Sequence, residues 1–565
     1  MQYLRHFGVK KLIFRLIEYL GKSKIDYHAW FIEQKVTDEQ LNEQRKMSWS
    51  REILISIVVP LYETPIPYLK EMIDSVRQQS YQNWELCLAD ASNDNKEIQD
   101  FINVYIESDS RIKYKKLNAN YGISENTNQA IKLSSGEYIA LLDHDDFLEH
   151  DALFQVMSVI SKHQCDVLYT DEDKITEDGS LHFKPHFKSA FNMDLLRTNN
   201  YICHFLVFKK VLLDEVGGFR KKYDGAQDFD LIIRLCEKAS NIQHIPRVLY
   251  HWRSNPGSTS TNPFAKTFAY DAGVHLLQEH YQRLKIHASV SPETYLGYYK
   301  TDYKTTNKPI SVFIHHQSSL NHLKSCITSV ERSSYNDCHI YVLCSRDRLN
   351  DNLIKLMQEL GKRLPISYMV YDDNFIECLN TLIHKDANKY ILLLSSRCKF
   401  GHCKDLTLMQ GTCARSKDGI VGARFIRRGR LQNAGFTYYK KTIIPLFKNL
   451  NSSFYGYHCR AKVAQNVSLV SGDCMMFQRS LYEKLGGLNP KYSIHYWDFD
   501  FCLKALQYNC LVSLQSYINI KVQSSKRVKH NDKELFMKSW GTIISKEDKY
   551  FNENVLMISN QLKSL

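Results

Sequence analysis

The sequence contains no stretch of even ~18 consecutive apolar residues, the least a spanning helix needs, so no membrane-crossing segment is expected. Its start lacks the apolar core and small-residue cleavage site of a secretory leader, and export is not expected. Fifteen cysteines among 565 residues are too sparse for a disulfide scaffold and suit a reducing cytosol. No basic and aromatic repeat continues along the chain, which argues against a nucleic-acid partner. After the first apolar strand, Pro60 to Pro65 holds no glycine, so the phosphate-cradling loop of a nucleotidyltransferase is missing. What is present, 44% hydrophobic and 24% charged residues, belongs to a folded protein rather than a disordered one. At roughly 150 residues per domain the length allows three or four domains, or two large α/β ones.

The net charge of +13 has a local source. Residues 1–24 carry Arg5, Lys10, Lys11, Arg15, Lys22 and Lys24 against Glu18, with Tyr3, Leu4, Phe7, Phe14 and Leu20 between them. A helix there has an apolar face and a cationic face, which suits either the headgroup layer of an anionic membrane or packing on the next domain.

Ile53 to Leu61 is a β-branched run closed by Pro60 and reads as a buried parallel strand. Tyr68, Leu69, Met72, Ile73 and Val76 follow at helical spacing. Strands are expected again at 84–89, 112–116 and 138–142, with helices near 97–107 and 125–133 between them. This alternation predicts a doubly wound sheet, in which ligands sit beyond the carboxyl ends of the strands. Asp90 and the cluster Asp143-His144-Asp145-Asp146 both fall at such ends and should converge on one crevice. Three carboxylates within four residues repel one another unless screened, and hard oxygen donors suit Mg²⁺ or Mn²⁺ bridging to a diphosphate. Cys398 and Cys403 with His402 lack a matching pair for zinc and read as thiols on a loop.

The pattern then repeats. Pro309 to Ile314 resembles Ile55 to Pro60, Lys389 to Leu394 matches Glu137 to Leu142, and Trp497-Asp-Phe-Asp500 parallels Gln227-Asp-Phe-Asp230. This spacing is too long for a solenoid and predicts two domains of one fold. The expected division is a helical segment at 1–50, a catalytic domain at 51–295 and a second, degenerate copy at 305–565.

Ser56 to Tyr62, Asn83 to Asp90, Tyr121 to Asn128, Leu141 to Asp146, Tyr169 to Lys174, Asp224 to Leu231 and Val248 to Arg253 together resemble family 2 glycosyltransferases. The subset is similar to bacterial tandem-domain enzymes that build surface polysaccharides. The resemblance implies two tandem GT-A-like α/β domains, a nucleotide-activated sugar donor (UDP or dTDP), Mn²⁺ or Mg²⁺, and inversion at the anomeric carbon. It further implies a base pocket shaped by Pro60 and Tyr62, with Glu63 where relatives carry a smaller polar residue. Asp90 would contact nucleobase or ribose, Asp143 the ribose, Asn128 and Arg253 the donor, and Asp145 and His251 the metal. Asp228 is the expected general base, with Asp230 a weaker candidate, because the acceptor hydroxyl must lose a proton as it attacks.

The second copy departs from the pattern. Leu394-Ser-Ser-Arg-Cys-Lys399 stands where Leu142-Asp-His-Asp-Asp146 does, and Leu343-Cys-Ser345 replaces the strand end at Asp90. It is expected to bind a divalent cation poorly and to hold acceptor, pack on the first domain or mediate homo-oligomers; a metal-independent transferase using Arg397 is the competing reading. Expected partners are the donor and a glycan or lipid-linked oligosaccharide acceptor, at the cytoplasmic face of the cell membrane. A non-catalytic scaffold for a glycan assembly complex is the alternative function, disfavoured by the carboxylates at 90, 143, 145 and 228.

Overall fold

The computed structural model describes residues 26–93, 96–255, 268–306, 308–335, 337–415, 419–524 and 531–558. The basic segment 1–24 lies outside them. Among the described residues no helix is long and apolar enough to cross a membrane.

Nine strands form the first sheet: β1 (Ile55–Leu61), β2 (Trp84–Asp90), β3 (Ile112–Lys116), β4 (Tyr138–Leu141), β5 (Phe147–Leu148), β6 (Val167–Ile175), β7 (His182–His186), β8 (Leu206–Lys209) and β9 (Ile242–Arg253). Their spatial order is β3-β2-β1-β4-β8-β6-β9-β5, with β7 paired to β6. The half β3-β2-β1-β4 is parallel, and β8 runs antiparallel between β4 and β6. Every residue of β1 and β2 is buried, which is why both read as unbroken apolar runs rather than alternating ones. The helix Ile66–Arg77 buries Leu69, Met72, Ile73 and Val76 on the sheet, the stripe its spacing predicts. Residues 25–50, expected to be helical, form Tyr27–Gln34 and Asp38–Lys46, the latter opened by a capping box of Thr37 and Gln40.

The second sheet runs Ile366–Tyr371, Cys338–Ser345, Ile310–His315, Tyr390–Ser395, Cys474–Gln478, Gly419–Arg427, Leu511–Val522 and Cys398–Phe400. This is the order of the first sheet, position for position, including the antiparallel strand after the fourth. Pairing registers fix the equivalence: Ile55 pairs with Tyr138, and Ile310 with Tyr390. Asp143 therefore corresponds to Ser395 and Asp145 to Arg397. Across the antiparallel strand, Tyr138 pairs with Lys209 and Tyr390 with Gln478, so His204 corresponds to Asp473. The tandem GT-A-like α/β architecture expected from the sequence is what the molecule has. A hairpin, Ala288–Pro292 with Tyr299–Tyr303, lies between the sheets in the chain.

The copies meet along a polar seam. Asn192 and Asn466 exchange side-chain–backbone hydrogen bonds of 2.9 and 2.8 Å. Buried Asp194 is gripped by Arg415, whose Nη2 is 2.5 Å from Oδ2, and takes a 2.6 Å bond from Ser513. Burial alone raises the Asp194 pKa, but Arg415 outweighs it and holds the carboxyl well below the usual range.

Candidate active site

The register Leu61 to Asp90 brings the ends of β1 and β2 level. Asp90 is fully buried, accepting from the Ser92 N–H at 2.9 Å, the Tyr114 hydroxyl at 2.8 Å and the Lys116 ammonium at 3.1 Å. Burial works against its charge, yet these donors keep its pKa below the ordinary value. Pro60 is buried within β1, and Tyr62 just beyond it is exposed. Glu63 takes a left-handed backbone (φ 48°), donates its N–H to Ser92 Oγ at 2.8 Å and accepts from the Asn93 N–H at 2.9 Å. Thr64 Oγ1 lies 3.0 Å from His144 Nδ1, which ties this loop to the one after β4.

Ligand atoms of Asp143, Asp146 and His204 all lie within 4.8 Å of one another. Asp143 is exposed, whereas Asp146 is buried, accepting from the Tyr250 hydroxyl at 2.5 Å and the Arg253 N–H at 2.8 Å. Asp146 holds the loop as well as facing the cluster. Burial, then the charges of Asp145 and Asp143, raise its pKa well above the usual value. Burial raises the Asp145 pKa, His144 works against this and Asp143 adds to it; its carboxylate accepts from the Asn255 amide at 2.7 Å. His204 comes from the 200–204 loop before β8 and stacks on Tyr250, ring centroids 4.6 Å apart. Hard carboxylate oxygens with one imidazole are a fitting donor set for Mn²⁺ or Mg²⁺.

Asp228 stands in the first turn of the helix Gln227–Lys238. Its carboxylate accepts from Asn200 Nδ2 at 2.8 Å and lies 3.7 Å from the Cys203 sulfur. Burial raises its pKa; His204 lowers it and Asp143 raises it, so all three share one electrostatic neighbourhood. Asp230 is neutralised by Arg220 and Arg234, the latter at 2.8 Å, and is no rival base. Lys174, which burial lowers to about 8, lies over the Trp252 ring at 4.1 Å.

Three expected ligands are placed otherwise. His251 does not face the cluster: its Nδ1 meets Asp173 at 2.6 Å and its Nε2 meets Glu149 at 3.0 Å. Burial disfavours its charge, but the two carboxylates outweigh that and raise it to about 9. With His182 and Asp173 it forms a second buried group, covered by the helix Tyr27–Gln34, whose Tyr27 hydroxyl bonds Asp173 at 2.8 Å. Alternation along β9 is the reason: Tyr250 points to Asp146, so His251 points away. Arg253 spends its guanidinium on Glu71 and on the carbonyls of Asp145 and Glu177, at 2.8 and 2.7 Å, which shapes the carboxylate loop. Asn128 clamps the main chain of Phe219, donating at 3.0 Å and accepting at 2.9 Å. His204 and Asn200 escaped the sequence reading.

In the second copy Arg397 and Asp473 close on each other, Nη2 at 2.8 and 2.7 Å from the two carboxylate oxygens. Asp498, the counterpart of Asp228, accepts the Gly472 and Phe499 N–H groups at 2.9 and 3.0 Å. His315 stacks on Phe375 at 3.7 Å, and with Trp497, Asp473 and Asp498 it lines a cavity of about 20 Å³, room for roughly one water.

Residues 56–217 match the family described as glycosyl transferase family 2. The chain is 35% identical over 464 residues to the uncharacterized protein y4gI of Sinorhizobium fredii, covering 80% of this chain and 51% of that protein. It is 25% identical over 478 residues to the O-antigen biosynthesis protein RfbC of Myxococcus xanthus, covering 84% and 37%. The chain thus spans about half or less of the length of these relatives. Among solved structures, S. aureus TarS 1–349 in complex with UDP aligns with a TM-score of 0.33 and 18% identity, over 40% of this chain and 65% of that one. The carboxylate-lined α/β fold of residues 56–217 is a glycosyl transferase family 2 domain.

Proposed function

We propose that the chain transfers a sugar from a nucleotide-diphosphate donor to a hydroxyl of a growing cell-surface glycan, with inversion, and that residues 51–295 are the catalytic unit. The observation that supports this most is the meeting of Asp143, Asp146, His204 and Asp228 beyond the carboxyl ends of β1 and β4, where doubly wound sheets bind ligands. Asp143 and His204 would hold the divalent cation, with Asp146 anchoring their loop; the cation, when bound, neutralises charge on the departing diphosphate. Asp90, Pro60, Tyr62 and Glu63 sit at the adjoining strand ends, placed for the nucleoside. Asp228 removes the acceptor proton: burial and Asp143 make it a stronger base than an exposed aspartate, and Asn200 fixes its direction. One base and one cation suffice for direct displacement, and no second carboxylate at covalent distance is required.

The test is release of nucleoside diphosphate from a panel of UDP- and dTDP-sugars with and without Mn²⁺. Release that needs the metal and is lost in Asp228→Asn supports the reading. No release from any donor, together with no donor binding by calorimetry, overturns it in favour of a scaffold.

A further inference from the structure

The seam between the copies is linked to the carboxylate cluster through one buried lysine. Lys188 follows β7 and its side chain is fully buried. Its ammonium donates to Glu172 at 3.0 Å, to the Ile202 carbonyl at 2.7 Å and to the His204 carbonyl, which uses all three of its protons. Glu172 in turn accepts the His204 N–H at 3.2 Å. The 200–204 loop is therefore held from beneath by one ion pair, and that loop carries both His204 of the cation cluster and Asn200, the partner of Asp228.

The segment running from β7 to Lys188 is held from its other side by the second copy. Tyr457 accepts the Phe187 N–H at 2.8 Å and donates to the Pro185 carbonyl at 3.0 Å. The His458 ring stacks on His186, centroids 3.9 Å apart and planes 10° from parallel. Asn552 donates to the Lys188 carbonyl at 2.9 Å and to Asp171 at 2.8 Å, and Asp171 accepts the Lys188 N–H at 2.8 Å. Those contacts are local and directional.

We propose that the second copy is a positioning element of the first one's site: Asn552, Tyr457 and His458 fix the segment before Lys188, and Lys188 fixes the loop that aims His204 and Asn200. The catalytic half of this statement rests on the transferase reading; the mechanical half does not.

The experiment uses the full chain with Asn552→Ala, Asn552→Asp and His458→Ala. Amide hydrogen exchange over residues 200–205 should quicken by about three- to tenfold in the alanine variants, the loss of one or two hydrogen bonds, while β1 and β4 exchange as in the parent. Asn552→Asp should exceed Asn552→Ala, because it sets a carboxylate against Asp171. With an active donor, kcat should fall by a similar factor and the donor KM should rise, because the loop carries both Asn200 and His204. Unchanged exchange over 200–205 in both alanine variants overturns the proposal, and so does quickening spread evenly over both sheets. The exchange readout stands whether or not any donor turns over, so failure of the transferase reading and failure of the clamp are told apart.

Discussion

Two side-chain clusters in this molecule stand at the same address of the same fold. In the first, Asp145 and His204 flank Asp143 and Asp146, and the acids lie unneutralised enough that burial and mutual repulsion raise two of them. In the second, Arg397 and Asp473 occupy the positions of Asp145 and His204, and Arg397 Nη2, bonded to both Asp473 oxygens, balances the charge without any ligand. The helix-start aspartates differ in their further partners: Asp228 accepts from the Asn200 side-chain amide and lies near Cys203, whereas Asp498 accepts from the Gly472 N–H. Unbalanced charge needs something to arrive; balanced charge is finished structure. Arg397, on which the metal-independent reading of the second copy rests, is paired with Asp473.

The widest gap between the copies should appear on neutralising the paired aspartates. Asp228→Asn is expected to cut sugar transfer by about 10²- to 10⁴-fold, the range of a general base, with donor binding by calorimetry retained. Asp498→Asn, measured in the same assay, is expected to keep the parent turnover. Loss of donor binding in the first variant would reassign Asp228, and loss of turnover in the second would give the distal copy a chemical role.

The cation assignment sharpens the contrast next. Asp143→Ala and His204→Ala should abolish Mn²⁺-dependent donor binding, and Arg397→Ala should leave the Mn²⁺ titration unmoved. Asp145→Ala decides between two ligand sets: binding that survives leaves Asp145 to Asn255, and binding that is lost makes it a ligand after all.

The seam carries a stability effect of its own. Asp194→Ala leaves Arg415 buried without its partner, which costs about 3–5 kcal/mol in such sites, and denaturant unfolding measures it. Because the folded carboxyl lies below its unfolded value, near 3.9, its contribution is complete above that pH and is lost as pH falls toward the folded value. Asp194→Asn should therefore flatten the acid side of the stability curve. A parallel curve of equal slope would mean the pair is not what joins the copies.

Much of this was legible in the chain, and the illegible parts have separate causes. Buried parallel strands announce themselves as apolar runs, so Ile55–Leu61, Trp84–Asp90 and Tyr138–Leu141 were located to within a residue or two. Carboxylates at their ends follow from topology, which is why Asp90 and the 143–146 cluster were expected there and lie at those strand ends. Strand face is harder, because neighbours one residue apart point to opposite sides of β9; His251 was assigned to the cluster that Tyr250 faces instead. Loops give no periodicity at all, and the 200–204 segment held the two residues missed, His204 and Asn200. Asn128 and Arg253 sit in matched motifs but spend their polar atoms on main chain, a use that only coordinates reveal.

The subtlest contrast lies in pH. A base acts only when ionised, so activity should fall on the acid side as Asp228 takes up a proton. Burial sets that point above an ordinary aspartate, Asp143 pushes it further up and His204 draws it down. Asp143→Asn should then shift the acid limb of the residual activity to lower pH, while His204→Gln shifts it to higher pH. The opposite signs matter more than the sizes, since a general loss of folding moves both limbs the same way. The corresponding pair of substitutions in the second copy, Ser395→Asp and Asp473→Asn, alters charge at the same two addresses and should leave the limb where it is; a limb that follows them would mean the two clusters titrate as one.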